Sequence, residues 1–349
     1  MTRIAIVGAG AVGGYVGGFM ARDGRDVTLI DAWPAHIEKI RADGLRLEGA
    51  TPEDCFTARP QALHINQVES LSRQEPIDIA IVSTKSYDTE WATMLARPLL
   101  SPQGFVVSLQ NSINEERIAA LVGWGKVIGC IASSIAVELE APGLIRRNAQ
   151  RGGDAYTVFR AGEPHGRITP RLEQFVGMVK SADSAKATSN LWGERWSKLV
   201  INSMRNGMAA VTGLGGNEND RREMSRRLAI RLAGEGVKVG RALGYDIEPI
   251  IKLDPDKFVA AAEGSNAALG EVEEAILEQT KRRGEGQRPS MGQDMIKGRK
   301  TEIECLNGLV AAKGREIGIP TPVNDKMVDL VKKVERGDLK PDPDNIRGI

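Results

Sequence analysis

The chain has 349 residues, 41% of them hydrophobic and 27% charged, an ordinary globular mixture long enough to suggest two domains. Lys+Arg 47 against Asp+Glu 46 leaves a formal net charge of +1, which argues against a nucleic-acid or anionic-membrane partner. Cys55, Cys130 and Cys305 match no zinc or redox spacing, no apolar run is long enough for a bilayer, and "MTRIAIVGAG" enters a strand directly, so a cytoplasmic protein without a metal is expected.

The first 31 residues carry the clearest signal. "RIAIVGAGAVGGYVGGFMARDGRDVTLIDAW" predicts a strand over Arg3–Val7, a glycine turn, a helix to about Ala21 and a second strand over Val27–Asp31. Gly8, Gly10 and Gly13 match G-x-G-x-x-G, the pattern of a turn that brings a pyrophosphate onto free N–H groups at a helix start, here Ala11 and Val12. Asp31, closing the next strand, suits the ribose hydroxyls of NAD and opposes the 2′-phosphate of NADP.

Further strands are expected over Ile77–Thr84, Gly104–Leu109 and Lys126–Ser134, each ending in polar residues as a ligand-facing sheet edge should. Lys85 and Asn111 fall just past two of these ends; taken singly they read as a solvated lysine and a turn amide. "AYTVFRAGEP" and "SAKATS" read as later strands that extend the sheet antiparallel. The expected organisation is an α/β dinucleotide-binding Rossmann domain with a mostly parallel doubly wound sheet over 1–189, an all-α domain over 190–337 and a tail over 338–349.

In the helical half, "WSKLVINSMRN" sets Lys198, Asn202 and Asn206 on one stripe opposite Trp192, Trp196, Leu199, Val200 and Met204. Asn is a poor helix former, so this stripe reads as readily toward a ligand as toward water. "PSMGQDMIKGRKTEIECLNGLVAAKGREIGIPTPVN" reads as a helix starting at Pro289 with Ser290 as N-cap and ending at "GIPTPVN". On a straight helix Ser290 and Glu302 stand about 18 Å apart, so they meet one ligand only if the segment bends or Ser290 precedes the helix. The charged stretch Glu278–Arg288 reads as a solvated flexible loop, with a lid as the alternative. His36, His64 and His165 follow no motif.

Together "GAGAVGG", "KSYDT", "QNSINEE", "WSKLVINSMRN" and the Ser290–Asn324 segment resemble the ketopantoate reductase (2-dehydropantoate 2-reductase) family over nearly the whole chain, Ile4 to about Lys333. The resemblance implies a Rossmann domain joined to a helical domain with the active site in the cleft between them. It implies Lys198 as the catalytic lysine that polarises the substrate carbonyl, Asn202 and Asn206 as substrate contacts, Ser290 on the substrate carboxylate and Glu302 as acidic partner. Lys85 and Asn111 fall at the family's positions near the nicotinamide and its ribose.

The expected reaction is hydride transfer between a nicotinamide and a 2-oxo acid, 2-hydroxy acid or related secondary alcohol. Alternatives are a catabolic NAD-dependent alcohol or 3-hydroxy acid dehydrogenase on a related fold and a non-catalytic dinucleotide sensor. NAD is the expected cofactor, with NADP as the alternative; the partner is a small carboxylate or hydroxy substrate, and a homodimer is left open. This chain departs from the family pattern in four places. Ser112 replaces the usual glycine after "QN", the "QNSINEE" loop is one residue shorter, and extra residues lie between Asp254 and Gln287 and after Gly337. Asp31 stands where the biosynthetic enzymes commonly carry a basic residue for NADPH.

Overall fold

The computed structural model describes the backbone of residues 1–349 and every side chain except that of Arg282. Contacts divide the chain into two compact units, Met1–Leu191 and Trp192–Ile349.

The first unit runs β1 (Arg3–Val7), α1 (Ala11–Arg22), β2 (Asp26–Asp31), α2 (Pro34–Asp43), β3 (Leu45–Glu48), β4 (Phe56–Ala58), β5 (Gln61–His64), β6 (Ile77–Val82), α3 (Thr89–Ala96), β7 (Leu100–Ser108), α4 (Glu115–Val122), β8 (Val127–Ala132), β9 (Val137–Ala141), β10 (Leu144–Arg147), β11 (Phe159–Gly162), α5 (Pro170–Val179) and β12 (Ala185–Ala187). The main sheet has the order β12-β11-β8-β7-β6-β1-β2-β5. It is parallel from β5 to β8, while β11 joins β8 antiparallel and β12 follows β11 in parallel. The near-continuous apolar runs of β1 and β6 suit strands covered on both faces, and they pair in register from Ile4–Ile79 to Val7–Val82. After β1 the chain goes to β2 on one side and later to β6 on the other. The residues beyond Val7 therefore emerge at the switch point where open α/β sheets place ligands.

The sequence did not announce a second sheet, of order β4-β3-β10-β9. It covers the face of α1 that the main sheet leaves open, and glycines make both contacts. A Cβ on Gly17 would stand 2.7 Å from a Leu29 methyl of the main sheet. One on Gly14 would stand 2.5 Å from Ile145, and one on Gly18 2.8 Å from Leu47, both of the small sheet. Buried His36 ties these layers together: its ring nitrogens sit 2.9 Å from the Ala9 carbonyl and 2.9 Å from the Gly143 N–H. Burial lowers its pKa, so the neutral tautomer with Nε2–H donating to Ala9 and Nδ1 accepting from Gly143 fits both contacts. At the end of β10, buried Arg147 pairs with Asp183 at 2.6 Å and donates to the Tyr15 hydroxyl of α1 at 3.1 Å.

The second unit is built from α6 (Leu191–Thr212), α7 (Gly216–Arg221), α8 (Glu223–Ala242), α9 (Pro255–Ala262), α10 (Asn266–Arg282), α11 (Ser290–Ile296), α12 (Asn307–Glu316) and α13 (Pro322–Glu335). Residues 254–287, where extra residues were expected, hold α9 and α10. The stretch expected as a flexible loop is therefore helical through Arg282. The rest of it is pinned, with the Gln287 carbonyl accepting from Gly216 N–H at 3.1 Å and Arg288 donating to the Gly213 carbonyl at 2.6 Å. The residues after Gly337 cap the end of α6: Asp342 N–H and Asn345 Nδ2 both donate to the Val211 carbonyl, and Ile346 is buried. Among the described residues, no helix is long and apolar enough to cross a membrane.

Candidate functional site

In the first unit the three turn glycines hold three different physical positions. Gly8 adopts φ +99°, and a Cβ there would stand 2.7 Å from the Thr84 backbone nitrogen, so both conformation and space demand glycine. Gly13 packs α1 onto the end of β6, where a Cβ would meet Ser83 Oγ at 2.1 Å and the Gly8 carbonyl at 2.2 Å. Gly10 has nothing within 4 Å of its missing side chain. It precedes Ala11 and Val12 at the start of α1, where no side chain caps the first N–H groups.

Asp31 closes on this turn. One carboxylate oxygen accepts from Ala9 N–H at 2.8 Å and the other from Trp33 N–H at 2.9 Å. Each oxygen keeps a lone pair for a further donor. The cations that follow along α2 are engaged elsewhere: Arg41 donates to the Ala62 carbonyl at 2.7 Å, and Lys39 pairs with Asp43 at 2.6 Å. Thr84, beside Gly8, carries a buried Oγ1 without a hydrogen-bond partner. The open Gly10, the uncapped helix start and this orphan hydroxyl fit a phosphate-bearing dinucleotide.

Lys85 and Asn111 follow the neighbouring strands β6 and β7, and the structure brings their loops together. Ser86 Oγ and Asn114 Nδ2 donate to the Asn111 carbonyl at 3.1 and 2.8 Å, while Gln110 Nε2 donates to the Thr84 carbonyl at 3.1 Å. Ser112 adopts φ +67°, which explains why a glycine suits this position in the family: the left-handed conformation strains a side chain.

In the second unit α6 buries Trp196, Leu199, Val200 and Met204, leaving Lys198 and Asn202 half-buried on the other stripe. The amide of Asn206 is engaged by its neighbours, with one Nδ2 hydrogen left over. Its Oδ1 accepts from the Ser290 hydroxyl at 3.1 Å and Met291 N–H at 3.2 Å, and its Nδ2 donates to the Asn202 carbonyl at 3.3 Å. Asn202 Nδ2, in contrast, is buried and has no partner.

The Ser290 segment corrects two expectations. Pro289 is the N-cap and Ser290 the first helical residue, with the cap supplied from another helix by Asn206. The segment is also not one helix: α11 ends at Ile296, Gly298 turns at φ +61°, and buried Glu302 precedes a separate short turn, Ile303–Cys305. The chain therefore bends between Ser290 and Glu302.

Sequence reasoning missed the support behind α6. Asn307 Nδ2 donates to the Ser203 carbonyl at 3.1 Å and to Asn324 Oδ1 at 2.9 Å, and Asn324 in turn donates to Glu235 at 2.8 Å. These buried amides tie α6 to α12, α13 and α8. Nothing in the local sequence signals them, because every partner is distant along the chain.

Comparison with known proteins agrees along the whole chain. The family described as "Ketopantoate reductase PanE/ApbA" matches residues 4–159, and its C-terminal counterpart matches 190–335. The 2-dehydropantoate 2-reductase of Archaeoglobus fulgidus is 30% identical over 336 residues, 96% of this chain and 98% of that protein. That of Pyrococcus horikoshii is 30% identical over 341 residues, 95% and 97% respectively. Among solved structures, a PanE/ApbA family ketopantoate reductase from Ralstonia eutropha JMP134 matches with TM-score 0.78 at 27% identity, covering 96% of this chain and 99% of that one. The structure of D-mandelate dehydrogenase with NADH and anilino(oxo)acetate shares the fold at TM-score 0.78 and 22% identity, over 97% of this chain and 100% of that one. The chain belongs to the ketopantoate reductase family and is an oxidoreductase acting on a CH–OH group.

Proposed function

We propose that the chain transfers hydride between NAD(H) and a 2-oxo/2-hydroxy acid pair, with residues 1–189 holding the cofactor and 190–337 the substrate. The observation that carries the substrate side is the buried, unpartnered Nδ2 of Asn202, one turn along α6 from Lys198. A buried donor left unpaired costs about 1–3 kcal/mol, a cost that a keto or hydroxyl oxygen of the substrate removes.

When bound, the nicotinamide supplies the hydride. Lys198 polarises the carbonyl and stabilises the alkoxide that develops on the substrate, supplying the proton in the reduction direction. Asn202 orients the same oxygen without adding charge. Ser290 binds the carboxylate: its hydroxyl rotates from Asn206 to the anion while Met291 N–H keeps Asn206 satisfied. Asn206 is thereby a positioning residue. Glu302 serves as the acidic partner. On the cofactor side Ala11 and Val12 N–H groups take the pyrophosphate, Lys85 and Asn111 border the nicotinamide ribose, and Asp31 takes the adenosine ribose. The engagement of Arg41 and Lys39 with other groups supports NAD over NADP.

The test is a panel of 2-oxo and 2-hydroxy acids with both cofactors, followed at the reduced-nicotinamide absorbance, on the parent and on Lys198→Ala. The substitution is expected to lower kcat by about 10²- to 10⁴-fold with little change in NADH affinity. Near-normal turnover in the variant on the best substrate of the panel removes Lys198 from the chemistry.

A further inference from the structure

A small cavity lies inside the helical unit, lined by Met204, Arg205, Asp220, Ser225, Ala229 and Pro289 among others, with about 10 Å³ open to the centre of a water-sized sphere, room for a single water-sized occupant. Its polar lining is unbalanced. Arg205 and Arg283 both pair with one oxygen of buried Asp220, at 3.2 and 2.5 Å, which leaves two guanidinium charges against one carboxylate. The neighbouring Arg226 is matched separately by Glu273 at 3.0 Å.

Among the described residues, eight buried side-chain polar atoms lack a partner, and three of them are donors of this cluster: Arg205 Nε, Arg283 Nε and Ser225 Oγ. Ser225 is only 2% exposed. A fourth unpartnered atom, the acceptor Asn217 Oδ1, belongs to a residue that does not line the cavity. Burial already disfavours the charged form of Arg205, Asp220 opposes that effect and Arg283 adds to it. Unused donors and one excess positive charge call for an acceptor that carries negative charge.

We propose that this cavity is a binding site for a single small inorganic anion of halide size, taken by the Ser225 hydroxyl and Arg205. A void with room for one water-sized occupant excludes a dinucleotide phosphate or the organic acid substrate, so the site is distinct from that of the reaction. Its occupant braces the paired helices of the substrate site, because Arg205 precedes Asn206 on α6 and Pro289 precedes Ser290 on α11.

The experiment measures the thermal midpoint of the full chain in rising sodium chloride, with ionic strength held constant by sodium gluconate, whose anion is too large for the cavity. Crystals soaked in bromide are examined in parallel for anomalous scattering. A saturable rise of about 2 °C is expected in chloride, with a bromide peak within hydrogen-bond distance of Ser225 Oγ. Ser225→Ala is expected to lose the chloride-dependent rise while melting in gluconate at or above the parent midpoint, since it removes an unpartnered hydroxyl. Equal midpoints in both salts with no peak mean that the cavity holds only water and overturn the proposal. A bromide peak without a solution effect marks an adventitious ion only and overturns it equally. If Arg283→Met folds and keeps the full chloride response, the charge argument fails.

Discussion

Gly10 and Gly13 lie one helical turn apart, and the structure predicts opposite consequences for the same added methyl. At Gly10 the backbone has φ −64° and the methyl meets nothing within 4 Å, so alanine is unstrained there. Loss of glycine's freedom in the unfolded chain then stabilises by about 0.4–1 kcal/mol, a rise of about 1–4 °C in thermal midpoint. On the proposed placement of the pyrophosphate over this empty space, however, NADH affinity is expected to fall at least about tenfold, or about 1.4 kcal/mol.

At Gly13 the methyl stands 2.1 Å from Ser83 Oγ and 2.2 Å from the Gly8 carbonyl. Favourable contacts lie at about 3.5–4.0 Å, so Gly13→Ala must push α1 off the sheet. Overpacking on that scale costs about 1–3 kcal/mol or more, a fall of several degrees. Differential scanning fluorimetry with and without NADH, and a fluorescence titration of NADH on each variant, separate the two effects. If Gly10→Ala binds NADH as the parent does, the pyrophosphate does not lie over that residue. An unchanged midpoint in Gly13→Ala would refute the packing argument.

The parent is expected to prefer NAD(H) over NADP(H) by at least about tenfold in kcat/KM, and Asp31→Arg to narrow or reverse that ratio; a parent that prefers NADP(H) contradicts the reading of Asp31. Ser290→Ala should mainly raise KM for a carboxylate substrate, whereas Asn206→Ala, which frees the start of α11, should raise KM and also lower the thermal midpoint; a kcat loss without a KM change in Ser290→Ala argues against carboxylate binding. His36 is held below its ordinary pKa by burial, so the unfolded chain takes up a proton before the folded one does. Its contribution to stability is full above about pH 6.5 and is lost as pH falls from there through the folded pKa, and a melt series over that window should show a slope that His36→Gln reduces.

The parallel core of the first unit was legible because β1, β6 and β8 are near-continuous apolar runs, as strands buried on both faces require. The small sheet was not, because its strands are three to five residues long and mix arginine and glutamate with leucine, as in "LRLE" and "LIRR". They pack on Gly14 and Gly18 of α1, glycines outside the G-x-G-x-x-G triplet that a local reading has no reason to single out. In the helical unit the Lys198 stripe was visible from spacing alone. The use of Asn206 was not, since its partner Ser290 lies 84 positions away and an amide at a helix surface looks the same whether it meets a substrate or another helix. The bend after α11 turns on Gly298, one glycine in a charged stretch that otherwise reads as helix.

The glycine pairs of α1 bear on how the protein is made. Gly13, Gly14, Gly17 and Gly18 occupy four of its 12 positions, each costing the isolated helix about 1 kcal/mol relative to alanine. Such a segment has little tendency to coil alone, and what holds it is the pair of surfaces pressed against it. One of those surfaces is completed by Ile145, in β10, more than a hundred residues after the turn itself. As the chain leaves the ribosome, the cradle emerges well before the rest of its unit and is among the last in it to gain all its walls. Nucleotide capture by a nascent chain would thus report that synthesis has passed the β9–β10 hairpin, and truncations short of Arg147 should not retain NADH.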